Sequence, residues 1–398
     1  MVIFHIDLLG EILKFLEPKE LALTLRTSKS FYTYGTIDSI WKDYCTLLFP
    51  YYTNGNYYNF IVTEIWNYLK IVEAFHQVIS TVKSQFPSHS VYRSLEERGN
   101  RDMAMFYKNI YAKQDFEINP ENILKEFKEE TGVDMPTDLY QIYVTYDGQK
   151  YPGFFGTYRF YDNLTSLSFL PLKKALMNTS VPLFCLGESP YSDQQLLYDL
   201  TGELGKGIGA LYYSMGSQNT YLHLSSNLAE YLHCYAGKIS SGQIEIESKL
   251  INAFEWNDCC SDVTTEGIRI TARSIFVPYL SSRERYAWAY QIGIEPNRPS
   301  QRWRLVTRTW NITDNNGRVD TVYRQPGVIG LFPEVYQGSK KVIYESCCIL
   351  ATPGGTMDGY FTFENMDDES ITIDATVGVF RHQLPPGSSF VTYHHGLP

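Results

Sequence analysis

Two glycines three positions apart, Gly327 and Gly330 in the stretch RQPGVIGLFP (324–333), occupy the last two glycine positions of the phosphate-cradling fingerprint G-x-G-x-x-G. In a working site of that type the glycines let backbone N–H groups approach a pyrophosphate, at the N-terminus of a helix that follows a parallel strand. Here Gln325 stands in the first glycine position, and Pro326 and Pro333 bracket a segment with no helical pattern behind it. The spacing therefore reads as a pair of bends between antiparallel strands, with Gly327 and Gly330 kept as weak cofactor-binding candidates and no cofactor expected. A second chemical feature surrounds the loop. Ten arginines and four acidic residues lie between Arg269 and Arg324, a local excess of six positive charges in a chain of net charge −10. Guanidinium forks suit carboxylates and phosphates. The two readings are an anion pocket, or strand arginines paired with the acidic stretch NMDDES (365–370).

Other reactive residues carry less. Seven cysteines include the adjacent pairs Cys259-Cys260 and Cys347-Cys348, without a C-x-x-C spacing or a following histidine pair, so free thiols and no metal are expected. Cys347 and Cys348 sit in an alternating apolar pattern, which reads as strand interior before it reads as a thioester-forming nucleophile. His223 and His233 read as packed strand and helix residues. No G-x-S-x-G, H-E-x-x-H or Walker spacing occurs, so no catalytic residue is assigned and the chain is expected not to be an enzyme.

The acidic balance argues against general nucleic-acid binding. No apolar run approaches the ~18 residues that span a bilayer, and no secretory leader pattern opens the sequence. A cytoplasmic or nuclear location is the expectation. Tyrosine supplies 32 of the 398 residues, as suits half-buried strands and recognition surfaces.

At the start, Leu8, Leu9, Ile12, Leu13 and Leu16 form one wide helical stripe that Pro18 stops. Leu21 belongs to a second short helix, and Thr36 or Asp38 caps a third bearing Ile40, Trp41, Tyr44, Cys45 and Leu48 on one face. Residues 51–118 read as a tyrosine-rich loop and a helical spacer. After that, INPENILKEFKEETGVDMP predicts a helix that Gly132 ends, and a second helix from Asp138 to Tyr146. Short strands then alternate through VPLFCLGE, ALYYSM and TYLHLSSNLAEYLHCY, the last running into a helix. Beyond Gly267 the period changes to two: Trp288, Tyr290, Ile292 and Ile294 share one strand face, and Ile371, Ile373, Ala375, Val377 and Val379 another. Asn316-Gly317 between RTWNIT and RVDTVY predicts a two-residue hairpin turn. An antiparallel sandwich follows from that pattern.

Three resemblances attach to these segments. IDLLGEILKFLEPKELALTLRTSKSFYTYGTIDSIWKDYC resembles an F-box, with Phe4-His5 where the family has Leu-Pro. The helix, GVDMP link, YDGQ end and GFFGTYRFYD resemble a SUKH (Smi/Knr-type) domain. TRTWNITDNNGRVDTV, QPGVIGLFP and YESCCILATPGGTMDGYFTFEN resemble an ApaG domain, which implies a fibronectin-III-like sandwich. The expected multidomain α+β chain is thus an F-box at 1–50, the spacer at 51–118, a SUKH-like domain at 119–262 and an ApaG domain at 263–398. The F-box resemblance implies a substrate receptor of an SCF-type ubiquitin ligase, with Leu8, Leu9, Ile12, Leu13, Leu16, Leu21 and Trp41 binding a Skp-type adaptor and, through it, a cullin and a RING subunit. A scaffold outside any ligase and an ApaG-type small-anion or nucleotide-binding protein are the alternatives. Aromatic and arginine side chains in the expected ApaG loops, Tyr279, Tyr286, Arg302, Trp303 and Tyr336, are the candidate target-binding residues.

Overall fold

The computed structural model describes Ala74 and residues 120–145, 147–148, 153–247, 250–299 and 301–393. The expected adaptor-binding residues Leu8, Leu9, Ile12, Leu13, Leu16, Leu21 and Trp41, with all of 1–50 and the spacer apart from Ala74, lie outside the described residues. The chain divides into two compact units. One comprises 1–80, 115–148 and 228–236, and the other 81–114, 149–227 and 237–398.

Four helices are described: α1 (Pro120–Thr131), α2 (Thr137–Thr145), α3 (Leu172–Met177) and α4 (Leu228–Ser240). In the first unit α1 opens on Pro120, whose fixed φ suits the first helical turn, and buries Ile123 and Phe127. It closes where Gly132 takes φ +75° and donates its N–H to the Lys128 carbonyl at 3.0 Å. The buried face of α2 carries Leu139, Tyr140, Ile142 and Tyr143.

The described part of the second unit is predominantly β. Its first strands are β1 (Thr157–Phe160), β2 (Asn163–Ser166), β3 (Ser168–Phe169), β4 (Leu183–Glu188), β5 (Gln195–Asp199), β6 (Leu211–Ser214), β7 (Thr220–Ser225), β8 (Ile244–Glu247) and β9 (Leu250–Glu255). The C-terminal third supplies β10 (Ser261–Thr265), β11 (Ile268–Phe276), β12 (Tyr286–Pro296), β13 (Trp303–Asp314), β14 (Val319–Pro326), β15 (Glu334–Val335), β16 (Val342–Leu350), β17 (Gly355–Asn365), β18 (Thr372–His382) and β19 (Ser389–Thr392). A 3-10 turn, Pro278–Leu280, links β11 to β12.

Sheets β10-β11-β12-β16 and β14-β13-β17-β18 form an antiparallel sandwich, with β15 extending the edge beside β13. Their facing side chains, among them Trp288, Tyr290, Trp310, Phe361, Phe363 and Phe380, make one apolar core. Strand β12 is buried on both faces. Trp288, Tyr290, Ile292 and Ile294 enter the sandwich core as the alternation predicts, while Ala287 and Ala289 pack on Tyr158, Phe160 and Phe254 of β1 and β9. Small residues stand on that second face because another layer presses on it.

Two local expectations change. The hairpin between β13 and β14 is present, but its turn is not the tight two-residue form. Gly317 alone takes positive φ, its N–H returns to the Asp314 carbonyl at 3.0 Å, and the Asp314 N–H bonds the Arg318 carbonyl at 3.0 Å. This is a three-residue loop with glycine in the left-handed position, fixed by an Asp314 carboxylate that accepts the N–H groups of Asn316 and Arg318. In β18, a bulge changes the face. Met357 pairs with Phe380 and Gly359 with Val377, so two residues of β18 oppose one of β17. Ala375 and Val377 stay in the core, the inward positions then pass to Phe380 and His382, and Val379 is exposed together with Ile371.

The expected 262/263 boundary falls inside β10, and β19 leaves the sandwich to pair with β7, in the six-stranded sheet β19-β7-β6-β5-β4-β3.

Candidate functional site

The glycine loop at 324–333 is held by two strand pairings along one edge of β13. Thr307 and Arg308 pair with Pro326 and Gln325 of β14, while Trp303 and Arg304 pair with Val335 and Glu334 of β15. Residues 327–332 fill the interval as a tight turn. Val328 and Leu331 exchange N–H···O bonds at 2.8 and 3.0 Å, and Ile329 and Gly330 between them take φ of +48° and +74°, as in a type I′ hairpin. Gly327 has φ +55°, donates its N–H to the Val306 carbonyl at 2.9 Å, and would place a Cβ 2.4 Å from the Leu331 carbonyl oxygen. Arg308 donates to the carbonyls of Pro326 and Gly327 at 3.1 and 2.5 Å. The N–H groups of Gly327, Val328 and Leu331 are thus consumed by the fold, and no helix follows.

The arginines do not converge on one anion site. Arg269 bonds Asp262 and Glu295, Arg304 pairs with Glu364 and Glu369, and Arg273 is buried against Gln291 and Glu245. Glu369 belongs to the acidic stretch foreseen as a partner. Two arginines differ: the guanidinium of Arg302 lies 5.7 Å from the Tyr336 ring centroid, and that of Arg324 lies 5.9 Å from the Tyr323 ring. Neither forms an ion pair with a described residue.

Of the five residues expected to meet a target, the structure brings Arg302 and Tyr336 together at the surface. The other three are corrected. Trp303 is only 3% exposed, a core residue on the inner side of β13. Tyr286 is buried against Phe276 and Phe390 and donates its hydroxyl to the Arg283 carbonyl. Tyr279 is half-buried with its hydroxyl enclosed, packed beside Tyr158, Phe160 and Phe254. Loops at the end of a sandwich were the reason for naming them, and all three instead seal packing layers. The sequence reading missed Tyr323, Ile329, Leu331 and Phe332, which are exposed along the β14–β15 edge. The signal for Ile329, Leu331 and Phe332 was the apolar run VIGLF, which has no strand alternation and is enclosed by Pro326 and Pro333.

This part of the chain has relatives. A model of the ApaG domain family matches residues 279–365. Protein ApaG of Mesorhizobium japonicum is 39% identical over 123 residues, spanning 30% of this chain and 91% of that protein. Protein ApaG of Anaeromyxobacter dehalogenans is 35% identical over 127 residues, 31% of this chain and 96% of its own length. The chain belongs to the ApaG family. Among solved structures, one described as an ApaA protein from Bordetella pertussis is 29% identical, covering 30% of this chain and 94% of its own, with a TM-score of 0.28.

One buried polar contact of the ApaG domain is structural. Cys348 Sγ lies 3.4 Å from His382 Nε2, a pairing that superficially matches a nucleophile and base. Burial lowers the imidazole to about 3 and raises the thiol, so the pair is neutral and the thiolate is suppressed. A depression of about 390 Å³ opens between the β13–β14 hairpin and β16, and Arg318 in its wall is flanked by Asp314 and Asp320. No group of three or more His, Cys, Asp or Glu among the described residues is placed to hold a metal ion, and no described helix is long and apolar enough to cross a membrane.

Proposed function

We propose that the chain is the substrate-recognition subunit of an SCF-type ubiquitin ligase, with its ApaG domain on the target side. Residues 1–50 would dock a Skp-type adaptor through Leu8, Leu9, Ile12, Leu13, Leu16, Leu21 and Trp41, and the adaptor would bridge to cullin and the RING subunit. Support comes from the order of segments: an F-box-like stretch, a SUKH-like segment and an ApaG domain, an order that resembles F-box only protein 3. The observation that carries the binding role is the glycine turn of the ApaG domain, which engages the N–H groups of Gly327, Val328 and Leu331 internally and turns aliphatic and aromatic side chains outward. That arrangement favours a protein partner over the small-anion alternative.

On this reading no side chain of the chain reacts. The contribution to rate is proximity, a target lysine held near a charged conjugating enzyme at high effective concentration. The place of action would be the cytoplasm or nucleus. Co-purification with a Skp-type adaptor tests the proposal. Burying a leucine is worth roughly 1.5–3 kcal/mol and an aspartate in its place brings an unpaired charge, so Leu9→Asp with Ile12→Asp should abolish capture. Undiminished capture by a folded double variant would remove the ligase reading and leave a scaffold.

A further inference from the structure

The apolar side chains missed by the sequence reading form one surface. Tyr323 is 65% exposed, Leu331 63% and Phe332 50%, with Ile329 and Tyr336 beside them. Their placement follows from the backbone, because β14, the turn 327–332 and β15 succeed one another along a single edge of β13. An edge of this kind is usually blunted with charge, or covered. Here its centre is aliphatic and aromatic, and its ends are cationic.

At one end Arg302 stands over Tyr336, and at the other Arg324 over Tyr323. Stacking engages the flat face of a guanidinium and leaves its N–H donors at the rim, the geometry that receives a carboxylate in a fork. Around them, Glu334 faces Arg304, which pairs with Glu364 and Glu369, while the Arg324 guanidinium hydrogen-bonds the Tyr360 side chain and Asp374 lies in its field without forming an ion pair. The backbone N–H of Arg324 donates to Thr309 Oγ1 at 3.2 Å, which sets that residue beside Thr309, whereas Arg302 immediately precedes β13. Seven residue steps separate the two positions, about 23 Å at a strand rise of ~3.3 Å.

We infer that this edge is a docking surface for an extended acidic peptide segment of a partner protein, about eight residues long, with carboxylates towards both ends and apolar side chains at its centre. The end carboxylates meet Arg302 and Arg324, and the central side chains cover Ile329, Leu331 and Phe332. The inference rests on the ApaG domain being the target side of the proposed receptor, and specifies what class of target segment it takes.

The experiment uses the full chain and a fluorescein-labelled peptide, Glu-Glu-Ser-Leu-Ser-Phe-Ser-Leu-Glu-Glu, followed by fluorescence anisotropy. Two control peptides replace every Glu by Lys, or every Leu and Phe by Ser. Saturable binding of the first peptide is expected, weakened at least about tenfold in both controls and at ~0.5 M NaCl. Two surface variants, Leu331→Ser with Phe332→Ser and Arg302→Glu with Arg324→Glu, should each weaken it by a similar factor with unchanged melting temperature. Equal binding of the lysine peptide, no saturable binding, or indifference to both variants would overturn the inference. So would a concentration-dependent dimer that the Leu331→Ser, Phe332→Ser variant abolishes, which would make a second copy the occupant. Adaptor capture is measured on the same proteins. Arg302→Glu with Arg324→Glu should leave capture intact and Leu9→Asp with Ile12→Asp should leave peptide affinity intact, so loss of either reading is seen separately.

Discussion

Gly327 and Gly330 share positive φ but not surroundings, and their substitutions should separate. A Cβ on Gly330 meets nothing within 4 Å, so Gly330→Ala carries only the left-handed penalty of about 1–2 kcal/mol. A Cβ on Gly327 adds a 2.4 Å contact with the Leu331 carbonyl, so Gly327→Ala should lower stability by roughly 1–3 kcal/mol beyond that. Urea unfolding of both variants checks the order. Saturable ATP binding lost in Gly327→Ala at unchanged stability would restore the phosphate reading. His382 gives a second expectation. Folding lowers it to about 3, so between that value and its unfolded pKa near 6.5 the unfolded chain binds a proton that the folded chain refuses. Its contribution is complete above the unfolded pKa and falls away as the solution is acidified, by about 2 kcal/mol at pH 5. Stability measured from pH 7 to 5 should therefore slope less in His382→Gln than in the parent. At this scale the sequence spoke through type and neighbours. Cys348 was legible as strand interior from alternation, but its histidine neighbour was not, because His382 reaches the core only after the bulge moves the inward positions of β18.

Among elements, the 3-10 turn Pro278–Leu280 shows how closely the sandwich is joined to the sheet that precedes it. The Gly216 N–H, just after β6, is shared by the carbonyls of Pro278 and Ser281 at 3.1 and 3.0 Å, and a Cβ there would lie 2.4 Å from the Tyr279 carbonyl. Gly216→Ala should cost roughly 1–3 kcal/mol, because the obstacle is backbone that no rotamer change relieves. A melting temperature equal to the parent's would show that the two elements give way freely. Hydrophobic period located these elements well: α1 and α2, the inward face of β12 and the β13–β14 hairpin are where the pattern puts them. What the period could not show is which strands carry a second buried face. Ala287 and Ala289 look like weak strand residues until β1 and β9 are laid over them. The candidate site was legible only at one end, Arg302 and Tyr336. Its centre lies in a turn, where apolar residues follow no period and their exposure depends on a pairing register set elsewhere.

Across the second unit, the strand pairing of widest sequence separation is made by the short last strand. Strand β19 adds to the edge of β7, with Phe390 against Phe276 and Tyr286 and with Arg283 bonded to Thr392. The Tyr393 N–H donates to the Asn219 carbonyl at 2.9 Å, so Val391, two residues earlier, points its N–H the same way. Val391→Pro removes that donor and strands its acceptor, a loss of roughly 1–3 kcal/mol. Thermal unfolding should show the loss in one transition shared by the six-stranded sheet and the sandwich. Two separated transitions, with only one of them moved, would mean that β19 stabilises that unit alone and does not couple the sheet to the sandwich. Removing residues 263–398 to ask where targets bind also removes this strand, so surface substitutions on the β14–β15 edge are the cleaner instrument.

The partner of Thr220 in that ladder is Thr392, 172 positions further along the chain. At about 5–20 residues per second of synthesis, β7 therefore waits roughly 9–34 s for the strand that closes it. Throughout that interval its outer row of N–H and C=O groups faces whatever else is near, including the same strand on a neighbouring ribosome of the same message. How long this edge stays open during synthesis is thus set by timing and not by native stability. Slower translation after β7 lengthens that exposure, and shielding the edge until Ser389 emerges is expected to raise the yield of folded protein, measured as the soluble fraction.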